Sequence, residues 1–390
     1  MRSPIVKALT GAEAAAEAMR QINPEVVPVY PITPQTQIVE KFSEFVSDGL
    51  VDGAIINVES EHSAMSATIG AAAAGVRAMT ATSSAGLALM YEMLGIASGL
   101  RLPILTNIAN RTLSAPLNIH CDHSDSMGVR DAGWIQIYSE NAQEVYDHNL
   151  IALRVAEKVK LPAFVMQDGY ITSHSLERVE VLNDDVVKEY IGTFAPDYPM
   201  LDVSRPVTVG ALQLPDYYFE TKRQHIEAMA EAAPAYAEAA KDMEKLTGRN
   251  YPAIETYGLD GAETAIIVLS STAGTAKAVA DALKEEKGIK VGVIKPRLFL
   301  PFPREDLREA VKGLTSIAVL DRAVSIGSDA PLYTEIRNAL FTLPKRPKLQ
   351  SYIFGLGGRE IFEENIRHVY DELLKGSLSE DEVLYIGLRE

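Results

Sequence analysis

Val26-Val27-Pro28-Val29-Tyr30-Pro31-Ile32-Thr33-Pro34 reads as a buried strand that runs into a stiff turn. The apolar run 26–30 suits a strand, and Pro34-Gln35 opens a helix-period pattern that continues through Val46. Pro31 and Pro34 each fix φ, and a residue that precedes proline is restricted as well, so Ile32 and Thr33 have little freedom. The turn displays one hydroxyl, Thr33. Open α/β sheets place their ligands at turns of this kind, at the carboxyl ends of strands. An ordinary loop with proline as helix opener accounts for the same residues.

Working outward, strand and helix patterns alternate. Strands are predicted at 26–30, 54–58, 77–82, 103–109, 134–138 and 162–167. Helices are predicted at 11–21, 35–46, 61–74, 85–98 and 141–159. This alternation argues for an α/β fold with a parallel sheet covered on both faces. Residues 169–215 read as an extended connecting segment, rich in Asp and Pro. A long helix follows at 217–246, and 247–261 is a plausible boundary. A second unit has strands at 264–269, 290–294, 316–320 and 350–354, with helices at 274–286, 304–312, 331–341 and 361–374. The expected domains are 1–250 and 260–390.

The chain has 390 residues, 47% hydrophobic and 23% charged, which is a globular composition. Its 37 basic and 53 acidic residues give a formal charge of −16, which argues against nucleic acid or an anionic membrane as a main partner. No apolar stretch is long enough to span a bilayer and the N-terminus lacks a signal-peptide core, so the cytoplasm is the expected location. Cys121 is the only cysteine, which excludes an internal disulfide and an iron–sulfur cluster built from this chain alone.

Glu59-Ser60-Glu61-His62-Ser63-Ala64 lies where strand 54–58 hands over to an alanine-rich helix. Helix capping and the dipole explain one carboxylate cheaply and two less well. Glu61 leads onto a surface with almost no bulk, where a flat ring or another subunit can come close. Partial desolvation there would raise its pKa and suit it to sharing a proton. Asn110-Arg111-Thr112 follows strand 103–109, and a guanidinium is the best geometric match for a carboxylate. The alternative is a surface loop arginine. His120-Cys121-Asp122-His123-Ser124-Asp125 looks like a metal nest, but its spacing is tight and no further clustered ligand supports a closed site. We expect no metal there, and prefer an interface or pocket loop. Gly355-Leu356-Gly357-Gly358-Arg359 mimics a dinucleotide fingerprint with the wrong third spacing. It reads as a tight turn before a helix end able to attract an anion.

Together with Arg130-Asp131-Ala132-Gly133-Trp134 and Asp168-Gly169-Tyr170-Ile171-Thr172-Ser173-His174, these pieces resemble the α subunit of a multi-subunit 2-oxoacid:ferredoxin oxidoreductase, closest to the pyruvate enzymes. The resemblance runs from about residue 8 to the C-terminus. It implies a thiamine-diphosphate-binding, pyrimidine-type domain followed by a transketolase C-terminal-like domain. It implies oxidation of a 2-oxoacid with coenzyme A to acyl-CoA and carbon dioxide, with electrons passing singly to ferredoxin. By resemblance, Glu61 bonds the aminopyrimidine ring of the cofactor and Thr33 lies near its thiazolium and the substrate oxygens. Pro31 and Ile32 line the same turn, and Arg111 clamps the substrate carboxylate. The chain has no Gly-Asp-Gly followed by Asn. The resemblance therefore implies a β-type partner that holds the diphosphate, Mg2+ and cluster cysteines. It also implies γ and ferredoxin-like δ subunits, with [4Fe-4S] clusters on partner chains.

Alternatives are a branched-chain 2-oxoacid or 2-oxoglutarate version, a subunit of a lipoamide-linked dehydrogenase, and a non-catalytic assembly subunit.

Overall fold

The protein is described by a computed structural model covering residues 4–376 and 378–389. Strands Met79–Thr82, Leu105–Asn110, Ala163–Asp168 and Ile135–Tyr138 lie side by side and all parallel. A parallel bridge between Val26 and Ala78 brings in the parallel pair Val26–Val29 and Ala54–Asn57. Successive residues of a strand face opposite ways, and here both faces are apolar. Ala163 and Val165 join the core under helices Gly11–Ile22 and Ala142–Val159. Phe164 and Met166 join the core under Glu61–Ala74 and Tyr91–Gly99.

The second sheet runs in the order Val383–Ile386, Lys348–Phe354, Ser316–Asp321, Thr264–Val268, Gly292–Pro296, Ile254–Tyr257, and only the last is antiparallel. Helices Thr272–Lys287 and Glu363–Lys375 cover one face. The other face packs into the same core as the first sheet, where Met65, Trp134 and Phe164 share a cluster with Ile267, Val319 and Tyr333. The two units are therefore joined by buried apolar surface, which favours a fixed relative placement. Among the described residues no helix is long and apolar enough to cross a membrane.

Helix Glu61–Ala74 coincides with its predicted span because both ends are marked locally. The Ser60 hydroxyl accepts the Ser63 N–H at 3.2 Å, and Gly75 closes the helix at φ 109°, against Pro199. The predicted helix 85–98 is parted at Met90 into Ser84–Leu89 and Tyr91–Gly99. The segment 169–215 is not simply extended. It holds strand Leu176–Val181, antiparallel to Ile5–Thr10, and helix Asp184–Ile191. Only long-range pairing reveals that strand, because Glu177, Arg178 and Glu180 obscure its alternation. Leu298–Leu300, hemmed in by Pro296 and Pro301, crosses over to pair with Ile135–Tyr138 of the first sheet.

Candidate active site

The parallel register aligns the carboxyl ends of the strands. Asn110 pairs with Asp168, Ile108 with Thr82, and Val29 with Asn57. Thr33, Glu61, Ser84, Arg111 and Gly169 all follow directly on that edge. Arg111 is 9% exposed and its Nη1 donates to the Thr33 carbonyl at 2.9 Å. Its Nε donates to the Asn118 carbonyl at 3.1 Å, while its Nη2 makes no hydrogen bond among the described residues. The surface-loop reading of Arg111 therefore does not hold. Thr33 itself is exposed, and Pro34 packs on Gly169, where a Cβ would lie 2.8 Å from the proline Cγ. The Ile32 N–H donates to buried Gln35 at 3.2 Å, which fixes the turn against its helix.

Glu59 and Glu61 part company. Glu59 is exposed and accepts the Ser63 hydroxyl at 2.5 Å. Capping falls to Ser60, so Glu61 is not needed for it. Glu61 is 7% exposed and makes no hydrogen bond or ion pair among the described residues. A buried carboxyl without a partner is costly, so its retention points to a ligand. Its surroundings are cut to leave room. A Cβ on Gly86 would lie 2.6 Å from Glu61 Oε1 and 2.5 Å from Thr82 Oγ1. The Thr82 hydroxyl is fully buried and also lacks a partner among the described residues.

The loop 120–125 divides between two tasks. Asp125 turns towards the site, where Asn110 and the backbone N–H groups of Ser84, Arg111 and Ser126 donate to it. Burial pushes its carboxyl up to about 6 despite those four donors. Cys121, Asp122 and His123 face the second domain. His123 Nε2 lies 2.7 Å from Asp168, and Arg322 Nη1 donates to Asp168 at 3.0 Å. The same guanidinium approaches the Cys121 sulfur at 3.7 Å. A cation among Cys121, His123 and Asp168 would meet a charge already in place. Burial and Asp168 push the Cys121 thiol well up, which makes it inert. The Gly355–Arg359 turn seats on this loop. The Gly358 N–H donates to the Cys121 carbonyl at 2.7 Å, and the Gly357 N–H to Asp122 at 3.3 Å.

Arg322 and Asp168 thus fasten the two domains behind the site. Burial opposes the Asp168 charge, but Arg322 and His123 hold it below the ordinary carboxylate range. Its contribution to stability is present at neutral pH and fades as the solution is acidified below about pH 4. Arg322→Met leaves a buried carboxylate short of its cation, and a loss of about 3–5 kcal/mol is expected in denaturant unfolding. An unfolding midpoint equal to wild type would remove this contact from the domain joint.

A groove of about 1380 Å³ lies elsewhere, between Tyr91–Gly99 and the 193–213 segment. It is lined by Gly95, Ile96, Tyr198, Tyr218 and His225, and takes in none of Thr33, Glu61 or Arg111. The residues of this edge and joint that the sequence did not single out are Thr82, Gly86 and Arg322, while Asp125 lay in the 120–125 loop without its separate task being legible. The run Ser83-Ser84-Ala85-Gly86 after a strand was a local signal for Gly86.

A first domain of this kind, joined through a shared core to a second α/β unit, is that of a two-domain thiamine-binding α/β protein. Residues 17–241 match the family described as "Pyruvate flavodoxin/ferredoxin oxidoreductase, thiamine diP-bdg", and 262–366 match "Pyruvate:ferredoxin oxidoreductase core domain II". The chain belongs to the pyruvate:ferredoxin oxidoreductase family. It is 54% identical to pyruvate synthase subunit PorA of Thermotoga maritima, over 98% of each chain. It is 42% identical to ketoisovalerate oxidoreductase subunit VorA of Pyrococcus horikoshii, over 96% of this chain and 95% of that one. Among solved structures, the 2-oxoglutarate:ferredoxin oxidoreductase of Magnetococcus marinus superposes with a TM-score of 0.73 at 21% identity. That match covers 95% of this chain and 66% of the other, and speaks for the fold.

Proposed function

We propose that this chain is the α-type subunit of a multi-subunit pyruvate:ferredoxin oxidoreductase and supplies the pyrimidine half of its thiamine diphosphate site. The reaction takes pyruvate, coenzyme A and oxidised ferredoxin to acetyl-CoA, carbon dioxide and reduced ferredoxin. The observation that carries this reading is Glu61, a buried carboxyl with no partner on the ligand edge. The cradle left by Gly86 and the unpartnered Thr82 hydroxyl fit a flat polar ring. Pyruvate is favoured over the branched-chain and 2-oxoglutarate versions by the 54% identity to a pyruvate synthase subunit. The same identity, over 98% of each chain, weighs against a lipoamide-linked or purely structural subunit.

When bound, thiamine diphosphate supplies the nucleophilic carbon and the electron sink that decarboxylation of a 2-oxoacid needs. Glu61 holds a proton in common with a nitrogen of the pyrimidine ring, and burial keeps water from competing for it. Arg111 enters the reaction already positioned. Its Nε and Nη1 are spent on Asn118 and Thr33, and Nη2 remains to pair with the substrate carboxylate. Thr33 offers its exposed hydroxyl to the substrate oxygens, with Pro31 and Ile32 as the wall beside it.

The other half of the site belongs to partners. No Gly-Asp-Gly is present, and the one cysteine is buried against Arg322. A β-type subunit holds the diphosphate, Mg2+ and cluster cysteines, and γ and ferredoxin-like δ subunits carry electrons through [4Fe-4S] clusters to ferredoxin. Calorimetry tests this division. The isolated chain is expected to bind thiamine diphosphate weakly or not at all, and the assembled complex tightly, with pyruvate-dependent ferredoxin reduction. Tight binding by the isolated chain would contradict the half-site.

A further inference from the structure

Asp125 lies in the 120–125 loop, yet it takes no part in the domain joint and touches neither Glu61 nor the free nitrogen of Arg111. It is 1% exposed, with no cationic hydrogen-bond partner among the described residues. Its Oδ2 accepts two backbone N–H groups from two different strand ends, Ser84 and Arg111, each at 2.9 Å. Its Oδ1 accepts Asn110 Nδ2 at 2.8 Å and the Ser126 N–H at 2.7 Å. We propose that Asp125 is a positioning residue that sets the distance between the cofactor-side and substrate-side walls of the site. This rests on the roles proposed above for Glu61 and Arg111.

Each wall depends on Asp125 for a different reason. Ser84 sits at φ 48°, a left-handed backbone that a serine adopts only when held. Its N–H is held by Asp125, and its hydroxyl donates to the Thr112 carbonyl at 2.5 Å. Ser84 opens the short helix that carries Gly86 up to Glu61 and Thr82. On the other side, Arg111 leaves its strand with its N–H anchored on the same oxygen and its guanidinium on Thr33. One carboxylate oxygen therefore couples the cradle of Glu61 to the arm of Arg111. An asparagine replaces it incompletely, because its one acceptor oxygen serves at most two of the four converging donors and the charge that strengthens those bonds is lost.

The test is Asp125→Asn in the assembled complex, read by calorimetry with thiamine diphosphate and by steady-state kinetics with pyruvate. We expect the Kd for thiamine diphosphate and the KM for pyruvate each to rise about tenfold, the loss of a hydrogen bond to a charged group. In an Arg111→Ala background the KM effect of Asp125→Asn should vanish while the Kd effect persists, since the two walls are reached separately. A purely structural role would lower Tm and leave both constants unchanged in the assembled fraction. An assembled Asp125→Asn complex with both constants within about twofold of wild type overturns the proposal. Should that variant not assemble, Asp125→Glu carries the same two readouts. If neither assembles while Arg111→Ala does, Asp125 is structural only. An Arg111→Ala complex with unchanged KM would instead sink the underlying reading of the site.

Discussion

Glu61→Gln is expected to abolish most turnover without unfolding the protein. Glutamine keeps the shape that fits against Gly86 and Thr82, so the cradle is preserved. It removes a carboxyl able to share a proton with a bound ring. Loss of a positioned proton-transfer group costs about 10²–10⁴ in rate. Stability should hold or rise slightly, because a buried carboxyl without a partner is replaced by a neutral amide. The measurement is ferredoxin reduction by the assembled variant complex, with thiamine diphosphate affinity by calorimetry and Tm as controls. Unchanged turnover with unchanged affinity would remove Glu61 from catalysis. A collapsed Tm would mean that its role is packing.

Arg111→Ala is the second large effect, and it falls on the substrate. The guanidinium is rigid before pyruvate arrives, because two of its nitrogens are bound to the Thr33 and Asn118 carbonyls. Losing a charge-assisted pair of this kind costs about 1.5–3 kcal/mol, which is about 10–150-fold in KM. The truncation also frees the Thr33 carbonyl, so kcat should fall together with affinity. Arg111→Lys should not restore the wild-type KM, since an ammonium is a point charge and cannot hold both carbonyls while presenting a third nitrogen. A pyruvate titration with saturating coenzyme A and ferredoxin decides the matter. A KM equal to wild type would take Arg111 out of the site.

The placement of Thr33, Glu61 and Arg111 at strand ends was legible in the sequence for one physical reason. Each directly follows a strand, and strands betray themselves by short apolar runs. The span 61–74 was legible for a similar reason, since Ser60 and Gly75 act within one helical turn of the ends they mark. The strand Leu176–Val181 was hidden because its partner, Ile5–Thr10, lies far away in the chain. The loop 120–125 was visible as a dense polar cluster, but not the division of its side chains between two tasks.

What the sequence determined by itself is the order of the elements, the two α/β units and the strand edge on which the candidate residues lie. Those follow from periodicity and turn residues, which act over a few positions. The tertiary structure alone decided which polar groups satisfy one another. Asp125 meets Ser84 across 41 residues, and Arg322 meets Asp168 across 154. It alone left Glu61 and the Thr82 hydroxyl buried without partners. A buried charge is governed by what surrounds it once the sheet has formed, and no local pattern in the chain records those surroundings.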